Sequence, residues 1–191
     1  MKYIHDHCSR FVAIGSLMGV LFAGGVTVQA QTCPSFPIAL SAQTLDGLAT
    51  NTIITDIVNG EQLDNFGWLS WTGDESEPTL VTSLTAPGDS SNYVNPDDPT
   101  DLELDPGNWV TGFVGVSNRS SLRNALGALL GVEIIVPVFD DVRDNGVTVA
   151  YHVVGFAQVQ LVDYHLPSQN RISVLFLGFT DCSVGGGGPG V

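Results

Sequence analysis

The run Asn95-Pro96-Asp97-Asp98-Pro99-Thr100-Asp101-Leu102-Glu103-Leu104-Asp105 is the densest group of chemically competent side chains in the sequence. Calcium takes roughly six to eight oxygen ligands, which closely spaced carboxylates and loop carbonyls can supply. Asp97, Asp98, Asp101, Glu103 and Asp105 are therefore candidate calcium ligands. The EF-hand register is absent and two prolines stiffen the run, so a solvated acidic loop is the competing and favoured reading. Asp74-Glu75-Ser76-Glu77 poses the same choice, and Asp140, Asp141 and Asp144 pose it more weakly.

Trp68 and Trp71, with Phe66 nearby, are candidate ligand-binding residues, because aromatic faces stack on the apolar faces of sugars. On a strand, successive side chains point to opposite faces. Trp68 and Trp71 then point opposite ways, one into the core and the other toward solvent. Catalytic parts are scarce. After the first thirty residues only His152 and His165 remain, and no serine lies in a GxSxG setting. Nucleophilic catalysis needs a nucleophile, a base and an orienting acid together. No catalytic residue is assigned, and both histidines read as surface or hydrogen-bonding groups. Paired carboxylates could hydrolyse glycosides, but in so acidic a chain some pair reaches a suitable separation by chance.

Lys2 and Arg10 precede an apolar run, Phe11 to Val28, that ends in Val28-Gln29-Ala30. This is the pattern of a secretory signal peptide covering residues 1–30, cleaved after Ala30. Cleavage removes Cys8. Cys33 and Cys182 then bracket nearly the whole mature chain, and in an oxidising compartment they are expected to form one internal disulfide. Two free thiols or an intermolecular link are the alternatives. The full chain carries 6 basic and 20 acidic residues, for a net charge of −14. Loss of Lys2, Arg10 and Asp6 with the signal makes the remainder more acidic by one unit. A chain this acidic repels phosphate backbones, so no nucleic-acid partner is expected. No later run is apolar enough to span a membrane, so no transmembrane segment is expected after signal cleavage.

These residues must be held by a mostly β framework. Strands are expected at Ile38–Leu40, Asn51–Val58, Phe66–Trp71, Thr79–Leu84, Trp109–Val116, Val132–Phe139, Val147–Val162 and Arg171–Phe179. The last two read as an antiparallel pair. Pro137 and Gly155 mark irregularities in the sheet. Asp140 to Gly146 reads as a turn-rich loop. Leu122, Ala125, Leu126, Leu129 and Leu130 recur at three- and four-residue spacing, which predicts one short amphipathic helix. Ser117 or Asn118 would start it and Gly131 would end it. The fold class is mainly β: an antiparallel sandwich-like domain with one short helix, spanning residues 31–182. Residues 183–191 form a flexible Gly-rich tail.

Asn65-Phe66-Gly67-Trp68-Leu69, Val136-Pro137-Val138-Phe139-Asp140, Val153-Val154-Gly155-Phe156-Ala157 and Arg171-Ile172-Ser173 follow one another in an order that resembles the extracellular C-terminal region of TadG-like Flp pilus-assembly proteins. They also resemble related bacterial secreted β domains of unassigned function. The likeness runs from about Asn65 to Cys182. A signal peptide stands where such proteins have a membrane segment and a larger preceding domain. The resemblance implies bacterial surface biology and carries over no catalytic residue. The expectation is a secreted, non-catalytic β domain for cell-surface or pilus-associated interaction, with a protein or glycan partner. A glycan-active hydrolase and a calcium-dependent adhesion module are the alternatives, and calcium is the only cofactor in view.

Overall fold

Residues 34–113, 119–166 and 170–181 are described by a computed structural model. The strands are β1 Ile38–Ser41, β2 Thr52–Val58, β3 Phe66–Ser70, β4 Trp109–Gly112, β5 Glu133–Asp144, β6 Val149–His165 and β7 Arg171–Thr180. The helices are α1 Ala42–Leu45, α2 Glu77–Ser83 and α3 Ser120–Leu129. Cys33, Cys182, the expected signal and the Gly-rich tail lie outside the described residues. Among the described residues no helix is long and apolar enough to cross a membrane.

The β5–β6 hairpin organises the sheet. It pairs from Glu133↔Gln160 to Asp144↔Val149, with register shifts around Val138, Phe139 and Asp141. The expected loop from Asp140 is therefore strand as far as Asp144. The reversal is tightened by Asn145, whose Oδ1 accepts from the Val147 and Thr148 amides, both at 2.9 Å. The other edge of β6 is divided. Ala150, Tyr151 and His152 pair with β4, whereas the stretch from Phe156 to His165 pairs with β7. The expected antiparallel pairing of the last two strands is thus observed.

This division makes the sheet a barrel. β6 pairs with β4, β4 with β3, β3 with β1, β1 with β5 in parallel, and β5 again with β6, which closes a ring of five strands. β7 and β2 extend from the second half of β6. The mainly β class stands, but a closed barrel replaces the expected sandwich. The reason is local. Pro137 pairs in register with Phe156, and the register shifts fall just beyond it, between Val138 and Asp141 and beside Gly155; such bulges increase bend and twist. One strand can then serve both the ring and the β7–β2 wing. Asn59, Asn170 and Trp68 tie the wing back to β3: Trp68 Nε1 donates to Asn170 Oδ1 (3.1 Å), Asn170 Nδ2 to Asn59 Oδ1 (2.9 Å), and Asn59 Nδ2 to the Phe66 carbonyl (3.1 Å).

Two cores result. Inside the ring lie Ala39, Leu69, Val110, Phe139, Tyr151 and Val153, joined by Trp71, Tyr93 and Leu104 from the connections. The second core holds Trp68, Ile134, Val136, Val159, Val174 and Phe176 against the helical residues Leu80, Leu122 and Leu126. Tyr151 sets the width of the ring. A Cβ at Gly67 or at Gly112 would lie 2.7 Å from ring carbons of Tyr151, so those two strands approach because they lack side chains there.

Among the described residues three α-helices form where one was expected. α3 is the predicted one: Leu122, Leu126 and Leu129 are buried, and Gly131 follows at φ +75°. Ser117 and Asn118 lie outside the described residues, and Arg119 holds the N-cap position without a side-chain cap. Thr79–Leu84, expected as a strand, belongs to α2 instead. Pro78 stands in its first turn, where a fixed φ favours helix, and Leu80 and Leu84 bury on one face.

Candidate functional site

The end of β3, helix α2 and the 3₁₀ turn Ser90–Asn92 enclose a surface pocket of about 250 Å³. α2 supplies Pro78, Thr79, Thr82 and Ser83. The chain leaving β3 supplies Trp71 and Thr72, and the turn supplies Asp89 and Asn92. Each wall is fixed from outside the pocket. The Trp71 carbonyl accepts from the Val94 amide (2.8 Å). Asp74 Oδ2 accepts from Ser76 Oγ (3.0 Å) and Thr79 Oγ1 (2.6 Å), which anchors the start of α2. Those bonds, Thr79's first, hold the Asp74 carboxyl below its ordinary value. Ser90 Oγ accepts from the Ser35 amide (2.8 Å), pinning the turn to the chain before β1.

The polar groups of the pocket are unevenly satisfied. Asp89 Oδ2 accepts from Ser83 Oγ (3.2 Å) and Asn92 Nδ2 (3.4 Å). Asp89 Oδ1 and Trp71 Nε1 are buried and have no hydrogen-bond partner in the protein. A buried polar atom without a partner costs about 1–3 kcal/mol, so the two mark a place where a further molecule would be stabilising.

The predicted tryptophans face opposite cores, as strand alternation requires, but both are buried, at 0% and 1% exposure. Neither offers an open ring face for stacking. Trp71 lines the pocket, and Trp68 joins the asparagine network.

The acidic run folds over one end of the ring. Asp101 Oδ2 accepts from Asn95 Nδ2 (2.9 Å) and Asn108 Nδ2 (3.0 Å), and its Oδ1 accepts from the Glu103 amide (3.2 Å). Asp97 forms a two-pronged pair with Arg143 at 2.5 and 3.0 Å. Asp98 Oδ1 accepts from the hydroxyl and amide of Thr100, which lowers its pKa. Asp105 is raised by burial and by the carboxylates of Glu103 and Asp101. Among the described residues, no three His, Cys, Asp or Glu side chains converge as metal ligands would. Tyr93, whose hydroxyl donates to the Trp109 carbonyl (2.8 Å), is pushed upward by burial and then by Asp101, Asp97 and Asp105.

Beside this loop is a second cluster. Arg143 stacks over Trp109 at 4.5 Å, Trp109 meets His152 at 5.1 Å, and His152 Nδ1 lies 2.7 Å from Asp140 Oδ1. His165 Nε2 lies 3.3 Å from Asp163. Both histidines thus take carboxylate partners, in keeping with their reading as hydrogen-bonding groups. Sequence reasoning missed Asp89, Asn92, Ser83 and Trp109. Pro87-Gly88-Asp89-Ser90 signals a turn, but nothing local says that this turn folds against Trp71.

The fold and pocket define a small closed β barrel with an external, hydroxyl-lined recess. Comparison with protein-family models, curated proteins and solved structures finds no match.

Proposed function

We propose that this chain is an exported, non-catalytic β domain that binds at a cell surface, in adhesion or in pilus-associated assembly. The observation that carries this reading is the recess between α2 and the Ser90–Asn92 turn. It is a concave site with an unsatisfied donor and an unsatisfied acceptor, and no histidine among its lining residues. Such a site is equipped to hold a molecule, and Asp89 is the single carboxylate among its lining residues, without the second carboxyl group that glycoside hydrolysis requires. The signal pattern of residues 1–30 and the acidic composition support export. Cys33 and Cys182 close the mature chain as an internal disulfide in this reading. The partner is a protein or a glycan.

The test uses the full chain produced with its signal. Material recovered outside the cytoplasm should lack residues 1–30, contain no free thiol and stay with cells when they are washed. A screen against glycan substrates should detect no turnover. Hydrolysis that disappears on an Asp→Asn or Glu→Gln change would establish the hydrolase alternative in its place.

A further inference from the structure

We infer that the Trp71–Asp89 recess takes a neutral, polyhydroxylated ligand the size of one sugar ring. This rests on the reading of the chain as a surface-binding domain and names the chemistry of its site. An indole N–H can only donate and an ionised carboxylate can only accept. Both unpartnered atoms, Trp71 Nε1 and Asp89 Oδ1, are buried atoms of side chains that line the same recess. A cation would satisfy Asp89 and leave the indole hydrogen facing positive charge. An anion would meet Trp71 favourably and be repelled by Asp89. Hydroxyl groups do both tasks, since each donates once and accepts twice.

The remaining walls agree. Thr82 Oγ1 spends its hydrogen on the Pro78 carbonyl (2.9 Å), and Thr79 Oγ1 spends its own on Asp74 (2.6 Å). What both then offer a ligand is lone pairs. The recess thus mixes acceptors with donors from Trp71, Thr72 and Asn92, and a polyol, whose hydroxyls both donate and accept, can meet both. The volume of about 250 Å³ falls just under the ~300–1,000 Å³ of sites for drug-sized molecules, which suits a single ring rather than an extended chain. Trp71 is 1% exposed, so it offers no open ring face for stacking.

The indole N–H resonances provide the test. The full exported chain is titrated with glucose, galactose and N-acetylglucosamine, and separately with methylammonium and acetate, in a heteronuclear NMR spectrum. A neutral sugar should move the Trp71 signal saturably. The Trp68 signal, held by Asn170 at 3.1 Å, should stay and so report an intact fold. Asp89→Asn should weaken binding about tenfold or more, and Thr82→Phe, an exposed wall residue, should abolish it by filling the mouth. Movement with methylammonium but no sugar would overturn the ligand class, and no movement with any probe would mean that water alone fills the recess. Cell retention is scored beside these titrations. Retention without a sugar response sinks this inference alone, and a sugar response without retention sinks the surface role alone.

Discussion

Replacing Gly67 by alanine should destabilise the domain, and the same change should become harmless once Tyr151 is shortened. A Cβ at Gly67 would sit 2.7 Å from both Cε atoms of Tyr151 and closer still to Cζ. Ordinary contact begins near 3.4 Å, so the ring would have to retreat by most of an ångström. It has little room. Tyr151 is 4% exposed, its ring meets Phe139 edge-on at 4.9 Å, and Gly112 backs it from β4. Overpacking of this kind costs about 1–3 kcal/mol, and the blocked retreat places Gly67→Ala toward the upper end. At roughly 2–4 °C per kcal/mol for a domain of this size, the melting temperature should fall by several degrees. Tyr151→Val should itself cost about 2–4 kcal/mol as a large-to-small core change. In that background the alanine methyl enters vacated space, and relief of glycine's backbone entropy contributes about 0.5–1 kcal/mol in its favour. Urea unfolding of the four variants, followed by tryptophan fluorescence, should give a coupling energy of about 2 kcal/mol. Additive penalties would refute the idea that Tyr151 sets the spacing of β3 and β4.

Three further outcomes follow from the geometry. Burial pushes Tyr151 up to about 12, and Tyr93 rises as well; their protonated forms are favoured by the fold, so stability is full below the unfolded tyrosine pKa of ~10 and is lost as pH rises through the folded values. Circular dichroism against pH should therefore show an alkaline transition starting above about pH 10, and Tyr151→Phe should move it to higher pH; an unmoved midpoint counts against the burial argument. Arg143→Ala removes an exposed two-pronged pair with Asp97 and a stack on Trp109, for a combined loss of about 1–2 kcal/mol, whereas Asp97→Asn should cost under about 1 kcal/mol and less in high salt; equal losses would contradict this split. Millimolar calcium should leave the melting temperature within about 1 °C, because an ion would have to displace Asn95 and Asn108 from Asp101 and Arg143 from Asp97; a rise of several degrees, the signature of binding to the native state, would restore the calcium-loop reading.

Period and punctuation made the elements legible where each could be read alone. Leu122, Leu126 and Leu129 announced α3 by spacing, and Gly131 announced its end. The β-branched run before Asn59-Gly60 announced β2. α2 was misread because Thr79–Leu84 also alternates, although Pro78 and the four-residue step from Leu80 to Leu84 already pointed to helix. Closure of the barrel was not legible at all. It depends on how the edge of β6 is divided between β4 and β7, which is a choice among non-local pairings. The site behaved likewise. Trp71 stood out as an aromatic residue, but Asp89 was one acid among many until the turn at Ser90–Asn92 was docked through Ser35.

The same division explains why the proposed recognition site falls outside the ring. Tyr151, Leu69, Val110 and Phe139 fill the interior, and the glycines opposite Tyr151 show that β3 and β4 close onto that ring with no space for another group. A five-stranded ring is too narrow for a ligand once one tyrosine occupies it, since even eight strands leave room for little more than side chains or one small molecule. Concave surface must then come from what is laid against the wall. β3 ends at Ser70, and the chain beyond it runs directly into the α2 connection, so Trp71 is the point where barrel core and external recess share one side chain. A ligand hydrogen-bonded to its Nε1 would contact, through a single indole, the packing that holds the ring closed. Occupancy of the recess and barrel stability are therefore linked, and binding should raise the unfolding midpoint as RT ln(1 + [L]/Kd) requires.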